Sequence, residues 1–446
     1  MKRAGLSAAL AAVSLAACVH YTPAPLELDR FPAELDARRL EAKPPGTAWT
    51  GANLLAAALA RNPQVAEAKA KYRTAAAAAR TAKLTPPLTL TLTAEYADEH
   101  PRWGYGAGAD VPIDAGVRRS ARMSTADLQA LQAWYDYAEA AWTVRTALEK
   151  ARIDLASAEA SISLADHAVS LRRDRLQRLE QRVAAGEDDR TVALTAQTEL
   201  AAAERQLADI RGRRQQAKVD LATALGVGPV AVNDLALAPL PEIPALDMLP
   251  AWRRDAVATR RDVLRALADY DLAENALRLE VAKQYPEVRI GPAYFYDHGV
   301  GKLPFTLSLA LPTYDLNRRA IEQAEAARAA AGRSLETVQA NILTAVDTAS
   351  AALATARANL DRVTKRALPA AQRTAEGATR SLQAGAADRV DVLAAQAAVL
   401  DAELDLLDAR RTVAAAAADM EDALRRPFDP AEANALPTPP TSGGTR

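Results

Sequence analysis

Over residues 303–311 the chain alternates: Leu303, Phe305, Leu307, Leu309 and Leu311 are interleaved with Pro304, Thr306, Ser308 and Ala310. A period of two gives an extended strand one apolar face and one small or polar face. Residues 88–96 repeat the pattern, with Leu88, Leu90, Leu92, Ala94 and Tyr96 opposing Thr89, Thr91, Thr93 and Glu95. A further strand is expected at 105–111, where Tyr105, Ala107, Ala109 and Val111 oppose Gly106, Gly108 and Asp110, and another at 288–296. These make two hairpins, with loops at 98–103 and 297–302.

Between and after the hairpins the period changes. Residues 118–185 contain neither Pro nor Gly, and Leu148, Leu155, Ile162, Val169, Leu176 and Val183 recur every seventh position. Ala151, Ala158 and Ala165 fill the interleaved position. That is a coiled-coil seam whose small residues allow close helix approach, and 68 residues in one helix would span about 102 Å. Gly186 ends this helix, and a second returns to Leu225 before Gly226 and Gly228-Pro229. Ahead of the first hairpin a helix is expected over 53–83, restarting at Asn62-Pro63. Another is expected over 260–284, ahead of the second hairpin. Residues 317–384 form the second long helix, striped by Leu335, Val338, Ile342, Val346, Ala349, Leu353, Ala356, Leu360 and Val363, with a kink at Pro369.

The order of elements therefore repeats. Pro312 stands 200 positions after Pro112 and Arg318 200 after Arg118; Gly385, Arg389 and Leu424 stand 199 after Gly186, Arg190 and Leu225. So many matches at a nearly fixed offset indicate a tandem duplication. The expected division is a first repeat over 51–228, a linker over 229–250, a second repeat over 251–426 and a flexible tail over 427–446.

Composition fits elongated helices better than a thick core: 50% of residues are hydrophobic but only 4% aromatic, and 25% are charged. A net charge of −1 offers no electrostatic footprint for nucleic acid. No apolar run reaches the ~20 residues of a transmembrane helix. Lys2-Arg3, an apolar stretch and Leu15-Ala16-Ala17-Cys18 read as a lipoprotein signal peptide over 1–17, cleaved before Cys18. The expectation is a covalent lipid on Cys18, the only cysteine, and an anchored irregular segment over 18–50. Val19 after the cysteine suits sorting to the outer membrane.

Spanning strands must close into a barrel, because lipid offers no partner to an open edge. Bacterial barrels have about eight strands or more, so four cannot close alone. Three chains would supply twelve.

At this point the chain resembles the TolC-type outer-membrane efflux family. The resemblance covers nearly all of the mature chain. It rests on the duplicated plan, on Pro-Thr-Tyr-Asp-Leu-Asn-Arg-Arg at 312–319 with Pro-Ile-Asp-Ala-Gly-Val-Arg-Arg at 112–119, and on Ala384-Gly385 followed by Asp391-Val392-Leu393-Ala394-Ala395-Gln396. It implies a mainly α protein with membrane β structure: a homotrimer whose 12-stranded outer-membrane barrel continues into a periplasmic α-helical tunnel. It also implies partners, namely a periplasmic adaptor and an inner-membrane efflux transporter. The second repeat looks closest to the branch serving heavy-metal pumps. By the same resemblance the adaptor meets the helical tips at Gly186, Arg190 and Gly385. Asp391 would ring the periplasmic constriction with Asp388, Arg389 and Leu393 around it. At 394, where the family has a second gating aspartate, this chain has Ala, which implies a simpler or differently built gate.

Catalysis has little to stand on. His20, His100, His167 and His298 show no ligand spacing, and Met123, Met248 and Met420 do not cluster. His100 and His298 fall in the two hairpin loops, a surface location. The expectation is neither enzyme nor resident metal. The alternative, a trimeric structural or adhesive protein, also shares four strands per chain. In autotransporter adhesins, however, those strands sit together at the C-terminus, whereas here two hairpins are about 200 residues apart.

Overall fold

The computed structural model describes residues 21–40, 48–98, 100–113, 116–239, 248–297, 299–311 and 314–439. Cys18 with its leader, His20, His298 and Pro312 lie outside the described residues.

Helix α1 spans Arg30–Ala37, α2 Gly51–Arg61 and α3 Pro63–Ala82. Asn62 makes the break between the last two. Its side chain accepts from the amides of Gln64 at 2.9 Å and Val65 at 3.4 Å, and Pro63 takes the first helical position, where a missing N–H costs nothing. The hairpin of β1 (Thr89–Tyr96) and β2 (Trp103–Pro112) leads into α4, the 68 residues Val117–Ala184, and α5 (Arg190–Leu225) returns along it. After a 3-10 turn at Pro229–Val232 come α6 (Leu249–Thr259), α7 (Arg261–Ala282), and β3 (Glu287–Asp297) with its return strand in two pieces, β4 (Val300–Lys302) and β5 (Phe305–Ala310). Then follow α8 (Arg318–Arg362), α9 (Leu368–Gln383), α10 (Arg389–Leu424) and α11 (Pro430–Ala435).

The expected strand over 303–311 is thus corrected. Phe295 pairs with Lys302 and Pro292 with Phe305, so one register runs through both pieces. Between them Ala293 donates its N–H to the Pro304 carbonyl at 2.9 Å, but Pro304 has no N–H to return. The expected loop over 297–302 shrinks as well, since Asp297 pairs with Val300. All strands are antiparallel in one sheet, ordered β1-β2-β3 and then β4 and β5 on the far side of β3. The outer strands β1 and β4/β5 each pair on one side only among the described residues.

The heptad seam is the core of the helical part. Leu148, Ala151, Leu155, Ala158, Ala165 and Val169 of α4 are buried, and Ala203, Leu207 and Ile210 of α5 meet them, with Leu404 of α10. Trp142, Leu54, Leu55, Leu221 and Leu225 close one end. In the second half Ile342, Val346 and Leu353 of α8 pack on Val413, Met420 and Leu424 of α10. The expected continuous helix over 317–384 is divided: a π-helical turn at Val363–Ala367 separates α8 from α9, and Pro369 stands in the first turn of α9, where a missing N–H is tolerated.

Three segments expected to be irregular carry structure. The tail folds into α11, capped by Asp429, which accepts from the Ala431 amide at 2.9 Å; Glu432 and Leu436 are buried. In the N-terminal segment α1 forms, and Arg38 donates to the carbonyls of Arg61 and Gly226, both at 3.0 Å. In the linker Ala236 accepts from the Trp49 amide at 2.8 Å.

Candidate functional site

Residues directly paired across a sheet share a face. The register aligns Leu90 with Ala109, Leu92 with Ala107, Ala94 with Tyr105 and Tyr105 with Tyr296. It also aligns Val111 with Ile290, Ile290 with Leu307 and Val288 with Leu309. The apolar positions of all strands therefore form one continuous face, on which Leu90, Leu92, Tyr105, Tyr294, Phe305, Leu307 and Leu309 are exposed. An apolar patch of this extent marks a surface made for lipid or for another chain. The opposite face carries Thr91, Thr93, Glu95, Gly106, Gly108, Thr306 and Ser308. There Arg289 Nη2 donates to Asp110 Oδ2 at 2.5 Å.

At the far ends of the long helices two turns share one geometry. Gly186 and Gly385 have φ of 77° and 73°. The Glu187 amide reaches the Arg182 carbonyl at 2.9 Å and the Gly186 amide that of Val183 at 3.1 Å; Ala386 reaches Ser381 at 2.8 Å and Gly385 reaches Leu382 at 3.0 Å. These are paired Schellman closures, in which the left-handed residue satisfies the last carbonyls. A Cβ at either glycine would meet nothing within 4 Å, so backbone conformation alone selects glycine. Buried Leu179, Ala196 and Val390 hold the two turns side by side.

The sequence-predicted gate residues gather here with distinct roles. Asp388 is the N-cap of α10 and accepts from the Val390 amide at 2.8 Å. Asp391, exposed, accepts in turn from the Asp388 amide at 3.2 Å, completing a capping box. Leu393 is buried, whereas Arg389 and Arg190 are exposed. Arg182, in the last turn of α4, supplies the counter-charge. It lies 2.8 Å from Asp188 and 3.8 Å from Glu187, and it also meets Asp388. Arg182 thus faces Asp388, and the same guanidinium also holds Asp188 of the other turn.

Sequence reading missed Arg182, since a basic residue in a last helical turn is favoured in any helix and carries no hint of a distant partner. It also missed a buried charged cluster. Arg145 of α4 donates to Glu421 of α10 at 2.7 Å and to Glu432 of α11 at 2.8 Å, beside a buried Arg152–Glu149 pair at 2.8 Å. Burial pushes the Glu421 and Glu432 carboxyls above their ordinary range against the pull of Arg145. Burial acts to lower the Arg145 pKa, but Glu421 and Glu432 together raise it, so Arg145 stays charged. No local spacing announces partners this far apart in sequence.

His100 is exposed and His167 lies on the surface of α4. Among the described residues no group of three or more His, Cys, Asp or Glu is placed to hold a metal ion, and no helix is long and apolar enough to cross a membrane.

The sequence model for outer membrane efflux proteins matches residues 54–227 and 252–424. The cobalt-zinc-cadmium resistance protein CzcC of Cupriavidus metallidurans is 25% identical over 309 residues, covering 68% of this chain and 72% of that protein. Among solved structures, the outer membrane protein VceC of Vibrio cholerae superposes with a TM-score of 0.70 at 19% identity, covering 85% of this chain and 97% of the other. The open state of the MtrE outer membrane channel of Neisseria gonorrhoeae gives 0.70 at 20% identity, over 84% of this chain and 89% of that one.

Proposed function

The chain belongs to the outer membrane efflux protein family, and we propose that three copies of it form the exit duct of a tripartite efflux system. The sheet is the observation that carries this reading. It has one continuous exposed apolar face and two outer strands, β1 and β4/β5, paired on one side only. In lipid such edges must be closed, and joining β1 of one copy to β5 of the next closes a ring. Three copies give twelve strands, within the range of bacterial barrels. The long helices α4 and α8, products of a tandem duplication, then line a periplasmic tunnel.

The duct conducts passively. Its energy comes from an inner-membrane transporter, reached through a periplasmic adaptor that meets the turns at Gly186, Arg190 and Gly385. The 25% identity to a cobalt-zinc-cadmium resistance protein supports heavy-metal cations as cargo. Three copies of the Asp388–Asp391 capping box around a threefold axis make an acidic constriction at the periplasmic end. Leu15-Ala16-Ala17-Cys18 supports a lipid anchor on Cys18.

Two measurements test this reading. The detergent-extracted protein is expected at three times the mature mass and to form ion-conducting pores in planar bilayers; a non-conducting monomer overturns it. Metabolic labelling with a fatty acid is expected to mark the wild type and not Cys18→Ser. Label persisting on the variant rules out this anchor.

A further inference from the structure

On the polar face of the sheet one cross-strand row reads Thr93, Gly106, Phe295 and Lys302. Phe295 is the only aromatic residue on that face of the described strands; Tyr96, Trp103, Tyr105, Tyr294, Tyr296 and Phe305 fall on the apolar one. The Phe295 ring does not stand away from the sheet. It lies across the backbone of β2, so that a Cβ at Gly106 would sit 2.4 Å from one ring carbon (Cδ2) and 3.0 Å from another (Cε2). A Cβ at Gly104, two residues back on the same face, would lie 3.6 Å from the far edge of the ring (Cε1 and Cζ), an ordinary contact. No side chain of an L-residue fits beneath a ring held this close, so the ring's position depends on the missing Cβ at 106.

The row lies three residues from the end of β1, near the hairpin loops. On the duct reading, the polar face lines the pore and these loops form its outer mouth. We infer that Phe295 sets the bore at the outer mouth of the barrel and that Gly106 is the residue that keeps its ring flat against the wall. With the ring flat, the mouth is wide and presents an aromatic face to passing solutes. With the ring lifted, three rings at one level narrow it. The inference rests on the duct reading, because a face that lines no pore has no bore to set.

Single-channel conductance in planar bilayers separates the two ideas. Wild-type protein sets the reference, and no conductance from it sinks the duct reading and this inference together. Gly106→Ala is expected to conduct less than wild type, and Gly106→Ala/Phe295→Ala to recover at least the wild-type level, since the lifted ring is then gone. Unchanged conductance in Gly106→Ala, or no recovery in the double variant, overturns the inference and leaves the duct intact. Should Gly106→Ala fail to assemble, Phe295→Cys keeps the question answerable. A bulky membrane-impermeant thiol reagent is expected to lower the conductance of Phe295→Cys pores and not that of wild type. Modification without a fall in conductance overturns the bore assignment.

Discussion

Arg182 and Asp388, one in the last turn of α4 and the other at the N-cap of α10, form an ion pair that ties the two helical turns of the chain together. The same guanidinium holds Asp188, at the turn between α4 and α5, at 2.8 Å. One arginine thus clasps the ends of both halves of the chain.

Because the two side chains remain 34% and 41% exposed, solvent screens the clasp, and Arg182→Ala is expected to change unfolding stability by no more than ~1 kcal/mol. Its effect falls on the tip. Without the clasp, repulsion among Asp188, Glu187 and Asp388 drives the turns apart, and pores in planar bilayers are expected to show higher conductance. Wild-type conductance from Arg182→Ala would show that the clasp does not hold the constriction.

Asp391 carries a charge and a cap at once, and two substitutions separate them. Asp391→Asn retains an oxygen to accept from the Asp388 amide, whereas Asp391→Ala loses that one exposed hydrogen bond, with an expected cost of about 0.5–1.5 kcal/mol. Both remove charge from the proposed acidic constriction, so block by divalent or trivalent cations applied from the periplasmic side is expected to weaken in both. Block as tight as wild type in both variants would place the cation site elsewhere. Asp188→Ala cannot serve as a neutral control, because Asp188 shares Arg182 with Asp388.

The cluster around Arg145 predicts both stability and its pH dependence. Glu432→Ala leaves buried Arg145 short of a partner and is expected to cost roughly 3–5 kcal/mol. Burial raises the folded-state pKa of Glu432 and Glu421 above the ordinary carboxylate value, so in that window the folded chain binds more protons than the unfolded one. Their contribution is full below the unfolded value and is lost as pH rises through the folded one. Thermal unfolding of detergent-solubilised protein is expected to show this fall with rising pH, and a shallower one in Glu432→Gln, which cannot titrate. Parallel slopes in the two proteins would mean that Glu432 does not titrate in this range.

The sheet register predicts an asymmetry between neighbours in sequence. Leu307 shares the apolar face with Ile290, and Thr306 shares the other with Gly291. Leu307→Arg is expected to cost about 2–4 kcal/mol if it lies near the bilayer midplane, and Thr306→Arg much less. Heat resistance of the assembled protein compares them. Equal losses would show that the two faces do not differ in environment.

Strand and helix periods were written in the sequence because each depends on neighbours. Leucine at every second position made β1 and β5 legible, and apolar residues at every seventh made α4 legible to within a residue of its observed ends. Gly186 and Gly385 were legible for the same reason, since a Schellman turn is closed by atoms a few residues apart. What the sequence left open were contacts between residues far apart in the chain. Nothing near Arg182 announces Asp388, nothing near Arg145 announces Glu421 and Glu432, and nothing near Gly106 announces the ring of Phe295. The tail over 427–439 looked loose because its prolines and small residues carry no periodic signal. It folds as α11 because Arg145 offers Glu432 a buried partner and the core around α2 offers Leu436 a place. Local periodicity decides which element forms. Which side chains meet depends on how elements distant in sequence pack, and only the tertiary structure carries that.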